Sequence, residues 1–229
     1  MRTVLTHPDL LVLDDVLPDA SFIAIWEHLQ GLPYTQPIHD SWIKAWRTFD
    51  SLPLVSPTYL GHDIAHDDPF YCLSTALARV ATEHTELFGV FGQHWFDILM
   101  NVYLYPRGSR LPWHTDEGYS GAMVFYAHPH WSASWGGELL VAEPSEIPFS
   151  RSASESWLDH SEQDAYLLER GISRAILPKP NRLVCLKRGV HHMLARVDPD
   201  AGDHVRCTIS GFLTSSEKHC FPSPSAPCP

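Results

Sequence analysis

Basic residues are scarce in this sequence: Lys and Arg number 16 against 27 Asp and Glu, a formal charge of −11. That balance argues against binding nucleic acid by phosphate neutralisation and against lying on an anionic membrane. Long apolar runs are missing, so no stretch reads as a bilayer-spanning helix. Residues 1–9 lack the apolar stretch and cleavage site of a secretory signal. Cysteine is sparse and unpatterned. Cys72, Cys185, Cys207, Cys220 and Cys228 are odd in number, and no two have Cys-x-x-Cys spacing. This favours free thiols in a reducing compartment over a disulfide framework or zinc site, so the expected location is cytoplasmic. Internal repeats are absent as well.

What is present suits a folded protein: 44% hydrophobic and 19% charged residues. The 229 residues suffice for one well-cored domain, expected over 1–214. Its parts are helical support over about 10–95, a strand-rich core over about 96–214, and a flexible Pro- and Ser-containing tail over 215–229. Residues 10–16 read as a short strand. Asp19 or Ser21 is placed to cap a helix running to about Gly31, with Phe22, Ile23, Ile25, Trp26 and Leu29 as its apolar face. Residues 32–67 are irregular, with Trp42 and Trp46 as candidates for the core or, second, for a pocket lining. Helical spacing returns from Pro69 to about Phe88.

From Phe96 the period changes from helical to alternating. Asp97–Tyr105, Leu111–Asp116, Gly121–Ala127, Leu139–Ala142, Arg182–Lys187 and His204–Leu213 read as strands separated by turn residues. Many short strands at close intervals predict a mainly β sandwich or barrel with flanking helices. Residues 143–175 interrupt the rhythm and read as an insertion. Its helical content runs from Ser152 to Arg170, with Gly171 as the stop.

The stretch that organises the chain is Trp113-His114-Thr115-Asp116. Two positions apart on a strand, His114 and Asp116 point the same way, so an imidazole nitrogen and a carboxylate oxygen converge on one point. A second histidine from elsewhere completes a facial set of two His and one carboxylate, the pattern of non-haem Fe(II) oxygenases. His191 and His192 supply the candidates, and only one of them can face inward on a strand. Near the C-terminus, alternation groups Arg206, Thr208 and Ser210 on one face. A guanidinium flanked by hydroxyls is an anion-binding set. The same pattern fits a wet outer face with Arg206 outward, and alternation alone does not choose between them. Met123, Phe125, Tyr126, His128, His130, Trp131 and Trp135 are candidates for a pocket wall, with Arg107, Arg110 and Arg188 at its rim.

Four ordered segments carry a family resemblance. They are Tyr103 to Asp116 (YLYPRGSRLPWHTD), Gly136-Gly137-Glu138-Leu139, Gly189 to Val197 (GVHHMLARV), and Arg206 to Phe212 (RCTISGF). Together they resemble the Fe(II)/2-oxoglutarate-dependent oxygenases, in the branch of the prolyl 4-hydroxylases. Asp14-Asp15-Val16-Leu17-Pro18 resembles that branch's N-terminal entry. The resemblance implies a double-stranded β-helix, or jelly-roll, core. It implies Fe(II), 2-oxoglutarate as co-substrate, and O2. The metal ligands carry over as His114, Asp116 and His192, because Val197 marks the histidine five residues before it. Arg206 matches the residue that pairs with the far carboxylate of 2-oxoglutarate. Thr208 and either Tyr103 or Tyr105 match its hydroxyl partners, and Ser210 shares their face. No catalytic residue beyond the metal centre is implied.

The chain departs from the collagen-directed members, which carry Lys where Arg206 stands, and it has the 143–175 insertion. The expected substrate is therefore a small molecule, such as an amino acid or natural-product intermediate, hydroxylated at an unactivated C–H bond. Trp131, Phe125, Tyr126, Trp135 and Arg110 are its candidate contacts. Asp116 argues against a halogenase, in which this carboxylate gives way to a small residue. The competing readings are a cupin-type metal enzyme independent of 2-oxoglutarate, a protein hydroxylase of the prolyl-hydroxylase type, and a scaffold that has lost its chemistry. No nucleic-acid or membrane partner is expected, and the sequence does not set the oligomeric state.

Overall fold

Side-chain alternation sorts the strands into two antiparallel sheets, and a computed structural model of the chain describes them over residues 1–36, 53–116, 118–143 and 161–215. The larger sheet has the order β1(Arg2–His7), β2(Leu10–Asp14), β10(Arg182–Lys187), β7(Gly121–Tyr126), β12(Arg206–Thr214), β5(Asp97–Tyr105), β3(Leu54–Val55), with β4(Tyr59–Leu60) also on β5. The smaller sheet has the order β6(Leu111–His114), β11(His192–Leu194), β8(Leu139–Ala142), β9(Ser173–Ile176). Two such sheets with helices on one outer face form the expected mainly β jelly roll.

Two packed layers follow from this arrangement. The inner layer joins the sheets through Leu10, Val12, Val184 and Tyr126 of the larger and Leu139, Val141 and Ile176 of the smaller. The outer layer sets Ile98, Met100, Met123, Phe125 and Ile209 of the larger sheet against the helices. These are α1(Asp19–Leu29), α2(Tyr71–Glu83) and α3(Thr85–Phe88). Each fully buried Leu, Ile or Phe contributes about 1.5–3 kcal/mol by leaving water, so these layers supply the main drive to fold.

Local chemistry sets the helix ends. Pro18, not Asp19 or Ser21, occupies the N-cap of α1, and its carbonyl accepts from Phe22 N at 3.0 Å. Asp19 instead opens the first turn, where its charge meets the positive end of the helix. Ile25 and Leu29 turn to the core while Ile23 is exposed, so the apolar face is narrower than expected. The helix expected over 69–88 breaks at His84, whose backbone leaves the helical region (φ −114°, ψ 62°), and α3 resumes as one turn.

The entry segment after β2 is tied to β10. Asp14 is buried and binds Arg182 Nε at 2.7 Å, Lys179 Nζ at 2.8 Å and Arg2 at 3.0 Å. Burial alone would raise its carboxyl pKa, but Arg182 and Lys179 outweigh that and hold it below the usual value. Asn181 takes a left-handed conformation (φ 57°) and exchanges side-chain hydrogen bonds with the backbone of Leu17 at 3.0 and 2.8 Å.

Several boundaries differ from expectation. β1, an exposed edge strand, has no clean alternation and was not foreseen. The expected insertion ends early, because Ser173–Ile176 pairs with β8 and belongs to the smaller sheet. Helix α4(Ser161–Arg170) matches the end of the expected 152–170 helix, and Gly171 (φ 64°) stops it by donating to Leu167 O at 2.9 Å. Trp42, Trp46, residues 152–160 and the tail beyond 215 lie outside the described residues. Cys185 and Cys207 are buried free thiols, but Cys72 stands in a disulfide, which corrects the free-thiol expectation there. Among the described residues, no helix is long and apolar enough to cross a membrane.

Candidate metal centre and anion site

His114 and His192 face each other directly across the β6–β11 pair. Directly opposed residues put their side chains on the same face of a sheet, so the two rings meet, with centroids 4.2 Å apart. Asp116 reaches the same point by another route. β6 ends at His114, so Asp116 is not on the strand as the alternation argument assumed. It begins a turn in which its carbonyl accepts from Tyr119 N at 3.1 Å. One ligand atom from each of the three residues lies within 4.8 Å of the others, and Asp116 Oδ2 is 3.4 Å from His192 Nε2.

The backbone settles which imidazole nitrogen faces this point. His114 Nδ1 lies 2.7 Å from Pro112 O, and His192 Nδ1 lies 2.9 Å from Val190 O. A carbonyl only accepts, so each Nδ1 carries the proton and each Nε2 keeps the lone pair. Burial, with His192 close by, holds the His114 imidazole well below its ordinary pKa and therefore neutral. Burial pushes the Asp116 carboxyl up, opposed by His192. Two imidazoles, each with Nδ1 turned to a carbonyl, and a carboxylate that needs a cation to offset its desolvation are a donor set that fits a divalent metal. His191 is buried but stands outside the set.

The second part of the site lies on the larger sheet. Arg206 is 2% exposed, which removes the alternative of an outward-facing wet strand. Its Nε donates to Gly137 O at 2.8 Å. The rings of Tyr105 and Tyr126 lie 5.3 and 4.9 Å from its Cζ. They come from the two strands that flank β12. Thr208, also buried, is paired with both Tyr103 and Tyr126. The Tyr126 side chain is fully buried, with the Arg206 guanidinium beside it. A carboxylate would take both the guanidinium and the Tyr126 hydroxyl, so the residues fit a dicarboxylate co-substrate.

The register assigns the other candidates. Ser210 follows Arg206 by four strand positions, about 13 Å, too far to share one carboxylate with it. It pairs instead with Asn101, whose Nδ2 donates to Thr58 Oγ1 at 3.0 Å. Tyr103 is raised by burial, with Tyr105 and Asp116 adding to the effect, so its phenol keeps its proton next to the metal set. Phe125 faces the helices, edge-on to Phe22 at 6.1 Å, and lines no inner pocket. Tyr126 sits at the Arg206 end, which moves it from the substrate candidates to the anion site. His128 is bound to backbone through both ring nitrogens, to Pro178 O and to Cys207, and is structural. Trp131 packs against the cluster of Tyr105, Leu194, Val197 and Ala201, with Trp135 edge-on to it at 5.4 Å. Arg110 is half-buried just before β6. Sequence reasoning missed Tyr119, which stacks on Phe212 at 4.7 Å and feels the Asp116 charge.

Comparison with known proteins gives no matching family model and no matching curated protein. Solved structures do match in fold. A prolyl-4-hydroxylase from Pseudomonas putida is 14% identical, with a TM-score of 0.59 over 91% of this chain and 93% of its own. SnoN, a non-haem alpha-ketoglutarate-dependent epimerase from nogalamycin biosynthesis, is 10% identical, with a TM-score of 0.59 over 91% and 78%. HygX from Streptomyces hygroscopicus, solved with nickel and 2-oxoglutarate bound, is 13% identical, with a TM-score of 0.52 over 93% and 88%. The chain thus resembles 2-oxoglutarate- and Fe(II)-dependent oxygenases, prolyl 4-hydroxylases among them, in architecture.

Proposed function

We propose, from this shared architecture, that the protein is an Fe(II)- and 2-oxoglutarate-dependent dioxygenase that hydroxylates an unactivated C–H bond of a small molecule. The observation that carries the reading is the coexistence of two fitted sites in one barrel: the His114, Asp116 and His192 donor set, and a buried Arg206 with Tyr126 and Thr208. A cupin-type metal enzyme needs the first but has no use for the second.

The residues have separable roles. The Nε2 atoms of His114 and His192 would hold the metal, each ring aimed by the carbonyl two residues before it. Asp116 would supply the third ligand and balance charge. Its presence, in place of a small residue, speaks against halogenation. Arg206 would grip the far carboxylate end-on through its terminal nitrogens, with Tyr126 and Thr208 filling the remaining lone pairs. The apolar inner layer would keep bulk water from the buried end. When bound, the iron and co-substrate supply the oxidising power with O2, and the co-substrate leaves as succinate and CO2.

The preference for a small molecule, such as an amino acid or natural-product intermediate, rests on Arg206 in place of the lysine of collagen-directed enzymes. The architecture of SnoN also supports it. The prolyl-4-hydroxylase match keeps a peptide substrate as the second reading. The test is anaerobic addition of Fe(II) and 2-oxoglutarate to the purified protein. A weak visible charge-transfer band is expected. Oxygenated turnover with amino acids, natural products and proline-containing peptides, scored by succinate release, then separates the two substrate classes. If Fe(II) binds and no band forms, the cupin-type alternative takes over.

A further inference from the structure

The Arg206 side chain is immobilised by parts of the chain that do not themselves meet a ligand. Gly137 O takes its Nε, and Gly137 has φ +74°, a conformation that suits glycine. A Cβ at this position would fall 2.9 Å from Arg206 Cδ and 3.5 Å from Trp131 Cζ2. The neighbouring Gly136 carbonyl accepts from Trp131 Nε1 at 3.1 Å. The turn is also fixed to the segment that follows the histidine strand. Gly137 N donates to Arg196 O at 3.1 Å, and Gly136 bridges to Val197. One short turn therefore touches the arginine on one side and, on the other, the chain that leaves His192.

We propose that Gly137 and Trp131 are positioning residues for the co-substrate: they seat Arg206 so that its terminal nitrogens meet the far carboxylate of a five-carbon dicarboxylate held at the metal. This rests on the co-substrate reading above and adds the part of the chain that fixes the reach between the two sites. With Nε occupied by Gly137 and the rings of Tyr105 and Tyr126 close to Cζ, the terminal nitrogens are the donors that face a ligand. Two parallel hydrogen bonds tolerate little misalignment, so moving Cδ would turn a paired grip into a single contact. Trp131, a substrate candidate by sequence, becomes the back of the seat.

The test is calorimetric binding to the nickel-loaded full-length protein, with two probes. 2-Oxoglutarate reaches Arg206; oxalate chelates a metal through two oxygens and has no far carboxylate. Gly137→Ala is expected to weaken 2-oxoglutarate by about tenfold or more, the size of one lost charge-assisted hydrogen bond, and to leave oxalate within about twofold. Trp131→Phe keeps an aromatic ring and removes the donor to Gly136, so it should weaken 2-oxoglutarate selectively but less. It decides the matter if Gly137→Ala does not fold. Equal loss of both probes, or no loss of 2-oxoglutarate in either variant, overturns the assignment. A wild-type protein that takes nickel and oxalate but not 2-oxoglutarate overturns the co-substrate reading itself, and the seat with it.

Discussion

His114 and His192 form a directly opposed cross-strand pair, and each has its Nδ1 fixed by the carbonyl two residues before it. Neighbouring strands of the smaller sheet thus deliver two lone pairs to one point. His192→Ala should abolish stoichiometric Fe(II) or nickel binding, whereas His191→Ala should retain it. Metal content after gel filtration of the loaded variants checks this, and retention in His192→Ala would reassign the ligand.

Arg206 is expected to be irreplaceable by lysine. A lysine keeps the charge but has neither the Nε that meets Gly137 nor a planar fork beside two tyrosines. Arg206→Lys should raise the KM for 2-oxoglutarate by about 10- to 100-fold, with a smaller change in kcat. Tyr126→Phe should raise it less. Initial-rate kinetics at varied co-substrate provides the measurement.

Phe125 tests the sheet faces. Its ring is fully buried against the helices, so Phe125→Ala should cost about 3–5 kcal/mol of stability. Folded enzyme at low temperature should keep its KM for substrate and co-substrate. Urea unfolding and kinetics on the same preparation separate the two effects, and a changed KM without lost stability would return Phe125 to the pocket.

His128 predicts an acid-sensitive fold. Burial, with Arg206 nearby, lowers its pKa to about 4, despite the backbone carbonyl of Pro178. The unfolded chain takes up this proton near 6.5, the folded chain only near 4, so the unfolded state binds more protons between these values. Stability from this group is complete above pH 6.5 and falls as the pH drops towards 4. At about 1.4 kcal/mol per unit the loss approaches about 3 kcal/mol. Urea midpoints measured from pH 7.5 to 4.5 should show this slope, and His128→Gln should flatten it while lowering stability at neutral pH.

Strands with clean alternation were legible from sequence: Asp97–Tyr105 and Arg182–Lys187 match to the residue. The spacing of His114 and Asp116 marks two of the donors, while His192 over His191 and the inward Arg206 follow only from the family resemblance, because alternation leaves both open. What escaped had weaker or non-local causes. The exposed edge strand β1 buries no continuous face and so has no period. Alternation extends β6 to Asp116 because it is blind to a strand that ends two residues earlier, at His114. Phe125 and Tyr126 are neighbours on β7 with opposite fates, and only the register against β12 says which one meets Thr208. The Gly137 carbonyl is backbone, which sequence does not distinguish from any other. The only local hint was a paired glycine before Glu138.

The division of the site between two sheets has a mechanical consequence. Among the described residues β6 pairs only with β11, at the margin of the smaller sheet, while Arg206 belongs to the larger one. A metal would rivet the loose margin, and a dicarboxylate spanning from metal to guanidinium would brace the two layers against sliding. Hydrogen exchange should therefore slow in two steps: at β6 and β11 when metal is added, and at β12 and the Gly136–Gly137 turn when the dicarboxylate follows.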